Sequence, residues 1–208
     1  MGYRINYRNM KIIGLFSGGK DSLVACHYLW KNGWRGQRLQ EVLYCKTGIG
    51  LHENFHYVKE TCEKYGWKLN IVEPIYYETY EDFVRKFGFP HQGMHSAVMG
   101  YLKWHPLRKW ARGKDVIFVS GRRKKESKRR SRKMKTELET TERMRFYAPL
   151  FDWSTNQIWS YIKENDLQIC SVYKTLHMSG DCLCGAFSEL GESELITTFH
   201  EYMAKRIR

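Results

Sequence analysis

The sequence lacks any long hydrophobic run. No apolar stretch approaches the ~20 residues that a helix needs to cross a bilayer, and residues 1–4 lack the apolar character of a signal peptide. Cysteine is sparse, with six residues in 208, which is too few for a disulfide scaffold. We therefore expect a cytoplasmic protein with no membrane partner.

The apolar content is high enough for a folded core. Hydrophobic residues make up 42% of the chain and aromatic residues 15%, whereas disordered chains are poor in aromatic residues. No repeat or low-complexity linker interrupts the sequence. The length suits one α/β domain, with or without a small appendage.

Positive charge is concentrated in one segment, the basic tract, which covers residues 122–135. The tract holds ten Lys or Arg residues and one acid, Glu126, so it carries +9 of the formal net charge of +13. A local basic stripe is typical of a site for phosphate, nucleotide or nucleic acid. The alternative is a solvated loop or helix face.

Short apolar runs alternate with amphipathic segments along the first 120 residues. The runs predict strands at residues 11–16, 42–45, 68–72 and 116–120. The segments between them predict helices at 22–32, 54–65, 78–87 and 95–112, with Pro106 breaking or kinking the last one. This order predicts an α/β fold, a doubly wound and mostly parallel sheet with helices on both faces. Ligands bind such sheets at the carboxyl ends of the strands.

A glycine-rich turn, Ser-Gly-Gly-Lys-Asp-Ser at residues 17–22, links the first predicted strand to the first predicted helix. Its two glycines let the backbone approach an anion without a Cβ in the way. The helix N-terminus supplies free N–H groups and the positive end of its dipole, and Lys20 adds a charge. The turn therefore predicts a phosphate site. It is not a Walker A loop, because Asp21 stands where that loop needs Ser or Thr to hold magnesium.

The pattern changes after residue 145. A capping box at residues 154–157 begins an amphipathic helix, a loop with Cys and Gly covers 169–186, and residues 192–206 place apolar side chains on one helical face. We therefore expect a nucleotide-binding α/β domain over residues 1–150. Residues 151–208 would form a C-terminal helical segment with a Cys-rich loop, packed on the same domain.

Several sequence elements resemble the phosphoadenylyl sulfate (PAPS) reductase family of the adenine-nucleotide α-hydrolase superfamily. The turn at 17–22 is similar to the pyrophosphate loop of this superfamily. The family's further elements are matched by Leu102-Lys103-x-x-Pro106-Leu107, by Gly121-x-Arg123-x-x-Glu126-Ser127-x-x-Arg130 and by Pro149-Leu150-x-Asp152-Trp153-Ser154. Together the matches span residues 12 to about 187, in the order of the family.

The resemblance implies the fold of this family and an adenine nucleotide, ATP, APS or PAPS, as its small-molecule ligand. Mg²⁺ and an iron–sulfur cluster are further candidate cofactors. The implied catalytic residues are Lys20, Asp21, Lys103, Arg123 and Arg130. The implied nucleotide-binding residues are Ser17, Gly18, Gly19, Lys20, Ser22, Thr47, Gly48, Gly121, Arg123, Glu126 and Ser127. Arginine suits the anionic end of the ligand because its fork grips phosphate or sulfate oxygens in pairs.

Three cysteines fall within 15 residues of the C-terminal loop, at Cys170, Cys182 and Cys184. Many family members hold an iron–sulfur cluster on four cysteines, but Val98 and Met99 occupy the positions of one cysteine pair here. We predict that the three cysteines converge on one site that holds a cluster with an open iron position. A zinc site that includes His177 and a set of buried structural thiols are the alternatives.

Two enzymatic functions are consistent with these features. The first is a PAPS reductase-family enzyme that acts at the α-phosphate or sulfate of its nucleotide in sulfur metabolism. The second is an ATP pyrophosphatase that adenylates DNA or tRNA for sulfur insertion, and it is favoured by eight cations of the basic tract that the motif does not require. A noncatalytic nucleotide- or nucleic-acid-binding module is a third alternative, although the intact loop and arginine element argue against it.

Overall fold

A computed structural model describes residues 10–76, 79–126, 134–141, 144–186 and 191–206. Its six strands are β1 (Lys11–Leu15), β2 (Glu41–Cys45), β3 (Lys68–Val72), β4 (Val116–Val119), β5 (Leu138–Thr141) and β6 (Met144–Tyr147). They form one sheet in the order β3-β2-β1-β4-β6-β5. All neighbouring strands are parallel except β5 and β6, which are antiparallel. The expected mostly parallel α/β sheet is confirmed.

The helices in the described residues are α1 (Lys20–Asn32), α2 (His52–Tyr65), α3 (Tyr80–Phe87), α4 (His95–Met99), α5 (His105–Ala111), α6 (Thr155–Glu164), α7 (Tyr173–Leu176), α8 (Glu192–Phe199) and α9 (Glu201–Ala204). A π-helical turn, Gly100–Trp104, joins α4 to α5. None of these helices has the length and apolar character needed to cross a membrane.

Apolar side chains of the sheet alternate between its two faces. Ile12 and Ile117 pack with α1, α2 and α6 on one face. Ile13 and Phe118 pack with α5 on the other face. Strands β1, β2 and β4 are therefore buried on both sides, as their continuous apolar sequences indicate, whereas β3 is a partly exposed edge strand. Helices cover both faces, which confirms the doubly wound arrangement.

The C-terminal segment packs against the same body. On α6, the Tyr161 hydroxyl lies 3.0 Å from Nδ1 of His27 on α1. Ile196 on α8 and Met203 on α9 belong to one apolar cluster with Leu51 and Phe83. These contacts bring the cysteine loop to the carboxyl edge of the sheet.

Two predicted helices differ in detail from the structure. The helix predicted at 95–112 keeps its path through Pro106, but its hydrogen bonding changes to the π pattern one turn earlier, where the N–H of His105 bonds to Gly100 O. The wider turn accommodates a residue that has no N–H to donate. The helix predicted at 192–206 is wrong as one element, because it is broken at His200, where φ is −140° and ψ is 56°. The buried His200 ring lies 3.2 Å from Thr175 Oγ1 and 3.2 Å from Glu53 Oε1.

Strand β1 lies between β2 and β4, and the chain crosses to opposite sides of it. This is the switch point of the sheet, where the carboxyl ends of adjacent strands leave a crevice for a ligand. The glycine-rich turn at 17–22 follows β1 directly and leads into α1. The fold therefore places the predicted phosphate site at the switch point.

Candidate functional site

A cleft of about 510 Å³ opens at the carboxyl ends of β1, β2 and β4. It is lined by eight residues that the sequence predicted: Ser17, Gly19, Lys20, Asp21, Ser22, Lys103, Gly121 and Glu126. Its wall also includes four polar residues that sequence reasoning did not select: Arg122, Tyr173, Ser179 and Asp181. An apolar part of the wall comes from Leu43, Trp104, Leu107 and Phe146.

The turn between β1 and α1 is ordered by its own hydroxyl groups and by glycine. Ser22 Oγ donates to Gly19 O at 2.8 Å and lies 3.2 Å from Ser17 Oγ. Gly18 has a φ of 79°, and a Cβ at this position would collide with the side chain of Asn54. Glycine is therefore required at position 18 for both conformation and space.

Asn54 supports this turn from α2. Its side chain is fully buried, and its Nδ2 donates to Ser17 O at 3.0 Å. Sequence reasoning did not select Asn54, because nothing in the local pattern of α2 marks a contact with a segment 37 residues away.

Gly121 brings the end of β4 onto the first turn of α1. A Cβ at position 121 would lie 2.5 Å from the Ser22 nitrogen and 2.5 Å from the Asp21 carbonyl carbon. Real Cβ atoms do not approach backbone that closely, so a larger residue would push the turn and β4 apart. Gly121, the first residue of the element that contains Arg123, is therefore needed for close packing of β4 against α1.

Arg123 is buried and bonded within the protein. Its side chain is 2% exposed, its Nε donates to Asp21 Oδ1 at 2.8 Å, and its Nη1 donates to Trp153 O at 3.2 Å. The other oxygen of Asp21 accepts from Lys20 Nζ at 3.1 Å. This placement differs from the expectation that Arg123 faces the anionic end of a ligand. The chain buries the planar guanidinium where it ties the loop of Trp153 to α1.

Arg122, the neighbour of Arg123, lies in the cleft wall instead. Its Nη2 forms an ion pair with Glu139 Oε2 at 3.0 Å, and its Nε donates to Ser120 Oγ at 3.3 Å. The guanidinium carbon stands 5.3 Å from the centroid of the Phe146 ring. The side chain is thus held at the cleft by three different partners, and 31% of it remains exposed.

Lys103 and Asp181 form an ion pair across the cleft. Lys103 comes from the π-helical turn, and its Nζ donates to Asp181 Oδ2 at 2.7 Å. Ser179 Oγ donates to the second carboxylate oxygen at 2.8 Å. Burial alone disfavours the ammonium form, but the charge of Asp181 and its hydrogen bond with the lysine outweigh burial and raise the pKa of Lys103. The lysine is therefore cationic at any physiological pH.

Tyr173, a residue of the C-terminal segment, contacts the turn at residues 17–22. Its hydroxyl accepts a hydrogen bond from the Lys20 N–H at 3.1 Å, and its ring lies 5.7 Å from Lys20 Nζ. Burial raises the pKa of Tyr173 to about 12, so the hydroxyl stays protonated. The Tyr173 oxygen therefore already accepts a hydrogen bond from an N–H group that could otherwise bind a phosphate oxygen.

Of the predicted site residues not yet mentioned, Thr47 and Gly48 are described by the structure, and Ser127 and Arg130 are not. Thr47 is buried, and its Oγ1 donates to Asp181 O at 3.0 Å, so it holds the cysteine loop; Gly48 follows it with a φ of 79°. Ser127 and Arg130 lie outside the described residues, together with the rest of segment 127–133 of the basic tract.

The cysteines do not form the predicted ligand set. Among the described residues, no group of three or more His, Cys, Asp or Glu side chains is placed to hold a metal ion. Cys170 and Cys184 are buried in one apolar cluster, and Cys182 packs against that cluster. The described residues therefore do not bring the three cysteines together as a set of metal ligands. His177 lines the cleft and joins no such ligand group.

A doubly wound sheet with a glycine-rich turn at its switch point defines a nucleotide-binding class of α/β proteins. Within this class, residues 11–192 match the phosphoadenosine phosphosulfate reductase domain family, and the chain belongs to that family. The resemblance inferred from the sequence is confirmed.

Solved structures with this fold come from several enzymes. A PAPS reductase from Candida auris, solved as a phosphate complex, is 17% identical, with a TM-score of 0.60 over 82% of this chain and 85% of that chain. A U34-tRNA thiolase from Methanococcus maripaludis with its 4Fe–4S cluster is 16% identical, with a TM-score of 0.57 over 96% and 68%. An FMN adenylyltransferase from Candida glabrata with FAD and pyrophosphate is 18% identical, with a TM-score of 0.52 over 81% and 53%. These likenesses show the fold.

One curated relative matches in sequence. It is an uncharacterized protein of Methanocaldococcus jannaschii, 27% identical over 176 residues, which are 83% of this chain. The chain spans about 40% of the length of this relative.

Proposed function

We propose that the chain is an enzyme that binds an adenine nucleotide, ATP, APS or PAPS, in this cleft and acts at its α-phosphate or sulfate. The observation that carries the proposal is the turn at 17–22, whose serine hydroxyls and helix N-terminus face the cleft at the switch point of the sheet. The phosphates would replace the Tyr173 hydroxyl at the Lys20 N–H. Lys103 and Arg122 would contact the anion from the opposite walls, and Trp104, Leu107 and Phe146 would pack against the base.

The proposed roles of the buried groups differ from those of the cleft residues. Asp21 and Arg123 would act as positioning residues that hold Lys20 and the first turn of α1. Both carboxylate oxygens of Asp181 and of Asp21 already have partners. Mg²⁺ would therefore enter with the nucleotide and be held mainly by phosphate oxygens and water, as this ion commonly is. The described thiols do not fit an iron–sulfur cluster.

Calorimetric titration with ATP, APS and PAPS tests the site. Replacing Lys20 by alanine should weaken nucleotide binding by about 1.5–3 kcal/mol, because a charged hydrogen bond to phosphate is lost. Lys163→Ala is the matched control, since Lys163 is an exposed lysine on α6, away from the cleft. Equal affinities for the unaltered protein and Lys20→Ala would remove phosphate binding from residues 17–22. Assays for pyrophosphate, AMP and sulfite then identify the bond that is cleaved.

The alternative is an ATP pyrophosphatase that adenylates DNA or tRNA for sulfur insertion. A specific observation favours it, because the basic tract begins in the cleft wall, where both Arg122 and Glu126 line the cleft. A polyanion bound to the tract would thus lie beside the nucleotide phosphates. Under this alternative, pyrophosphate release from ATP requires added DNA or tRNA, whereas a sulfonucleotide enzyme releases its product without nucleic acid.

A further inference from the structure

Two free thiols, Cys182 and Cys184, follow Asp181, which lines the cleft. Cys182 is half-buried and Cys184 is buried. The Cys182 thiol donates a hydrogen bond to the Cys184 sulfur, so the two sulfurs meet across a single intervening residue. Cys170 is buried in the same apolar cluster as Cys184, whereas Cys26, Cys62 and Cys45 lie in other clusters.

The turn that carries the two thiols is fixed by hydrogen bonds at three of its residues. The backbone N–H of Leu183 donates to Ile49 O at 2.9 Å. The Tyr80 hydroxyl donates to Cys184 O at 2.8 Å, and Thr47 Oγ1 donates to Asp181 O at 3.0 Å. Because the backbone on both sides is held, the sulfurs stay together without large side-chain rearrangement.

The surroundings favour one thiolate in the pair. The hydrogen bond from Cys182 lowers the pKa of Cys184 and raises that of Cys182, because it stabilises the Cys184 anion. The Lys103 ammonium, paired with Asp181, adds a nearby positive charge. A thiolate beside a thiol is the arrangement that thiol–disulfide exchange needs.

We propose that Cys182 and Cys184 form a redox-active dithiol that exchanges with a small-molecule disulfide and closes to an intramolecular disulfide. One cysteine thiolate attacks a sulfur of the reagent, whose S–S bond breaks to release one thiolate. The second cysteine then gives its proton to solvent and attacks the mixed disulfide, which releases the other half of the reagent. The two cysteines lose two electrons, and the reagent becomes two thiols. This proposal does not depend on the proposed nucleotide function.

The disulfide is expected to be easily reduced. Closing a loop of one residue removes little chain entropy, so the bond gains little from the constraint that stabilises long-range disulfides. The short loop also limits the geometry that the bond can reach. Disulfides of this kind have high reduction potentials and act as labile, exchangeable bonds. Reduced glutathione should therefore reopen it.

Trypsin cleavage gives a direct measurement. Cys182 and Cys184 share the tryptic peptide 175–205, whereas Cys170 lies in 164–174 and each remaining cysteine lies in a peptide of its own. The full-length protein is incubated with oxidised glutathione, unfolded in an alkylating reagent, digested and weighed by mass spectrometry. The expected result is a peptide 175–205 that is unalkylated and lighter by two hydrogen atoms, while the peptide with Cys170 is alkylated. Treatment with reduced glutathione should restore alkylation of 175–205.

Variants distinguish a paired site from single reactive thiols. Cys182→Ser and Cys184→Ser should each stop closure and leave at most one glutathione on the peptide, whereas Cys170→Ser should close normally. If a serine variant fails to fold, the peptide masses of the unaltered protein still decide. Oxidation of 164–174 to the same extent as 175–205 would overturn the proposal. So would a stable mixed disulfide in the unaltered protein, or a 175–205 peptide that stays fully alkylated. Zinc retained by the pair on purification would also overturn it.

Discussion

At the scale of single residues, the two adjacent arginines have opposite environments. Arg123 is 2% exposed and bonded to Asp21, whereas Arg122 lies in the cleft wall. Arg123→Met should lower the free energy of unfolding by about 3 kcal/mol, because Asp21 Oδ1 loses its partner in a buried pair while only Oδ2 keeps its contact with Lys20. Arg145 is a matched control, since its Nη1 lies 2.9 Å from Asp115 Oδ1 in an exposed pair. Arg145→Met should cost under about 1 kcal/mol. Urea unfolding of both variants measures the difference, and equal losses would contradict the buried-pair argument.

His27 predicts how stability depends on pH. Burial, with smaller effects from Lys31 and Lys64, lowers its pKa from 6.5 to about 4. The folded protein therefore keeps the ring neutral while the unfolded chain takes up a proton. Stability is complete above pH 6.5 and falls towards pH 4, by up to about 3 kcal/mol from this residue.

Replacing His27 checks this assignment. In His27→Gln, the decrease in unfolding free energy between pH 6.5 and 4 should be smaller than in the unaltered protein. His56→Gln removes an exposed histidine of α2 and should leave the decrease unchanged. Identical pH profiles for the unaltered protein and His27→Gln would assign the acid sensitivity to other groups.

At the scale of elements, the sequence predicted what local periodicity encodes. Continuous apolar runs identified β1, β2 and β4, since strands buried on both faces carry no polar alternation. The edge strand β3 was identified from a shorter apolar run that ends before Pro74. The runs do not mark β5, because Leu138–Thr141 is a short and half-exposed edge strand, nor β6, because its four residues include Arg145. The break at His200 was missed for a related reason. Its two ring contacts reach Glu53 and Thr175, and contacts over such distances leave no local pattern.

The residues of the site likewise divide into those that local sequence patterns identify and those that only long-range contacts bring to the cleft. The motif at residues 17–22 could be found because it is continuous in sequence and has a recognisable chemistry, and Lys103 could be found from the resemblance of its element to the family. Tyr173 and Asp181 could not, because they reach the cleft only when the C-terminal loop folds back over it, 153 residues beyond Lys20 in the case of Tyr173. The motif also did not indicate that Arg123 is buried while Arg122 is exposed, since the burial of Arg123 depends on its packing against α1.

At the scale of the whole molecule, the charge distribution predicts where the protein binds a polyanion. The basic tract carries +9 while the other 194 residues carry +4, so a polyanion should bind at one end of the cleft. If the tract docks nucleic acid, four phosphate contacts would give a log–log salt slope of roughly −3.6 on duplex DNA.

Two variants of equal net charge separate the tract from charge in general. One replaces six of its cations by glutamine: Lys124, Lys125, Lys128, Arg129, Arg132 and Lys133. The other replaces six exposed lysines elsewhere: Lys31, Lys59, Lys64, Lys163, Lys174 and Lys205. Only the first should abolish retardation of DNA or tRNA, and both should keep their affinity for the small nucleotide, because the contacts of residues 17–22 are untouched. Equal losses in the two variants would indicate nonspecific attraction. An unaltered protein that does not retard nucleic acid at ~50 mM salt would exclude the docking role, because electrostatic binding is strong at that ionic strength, and would favour a small sulfonucleotide as the substrate.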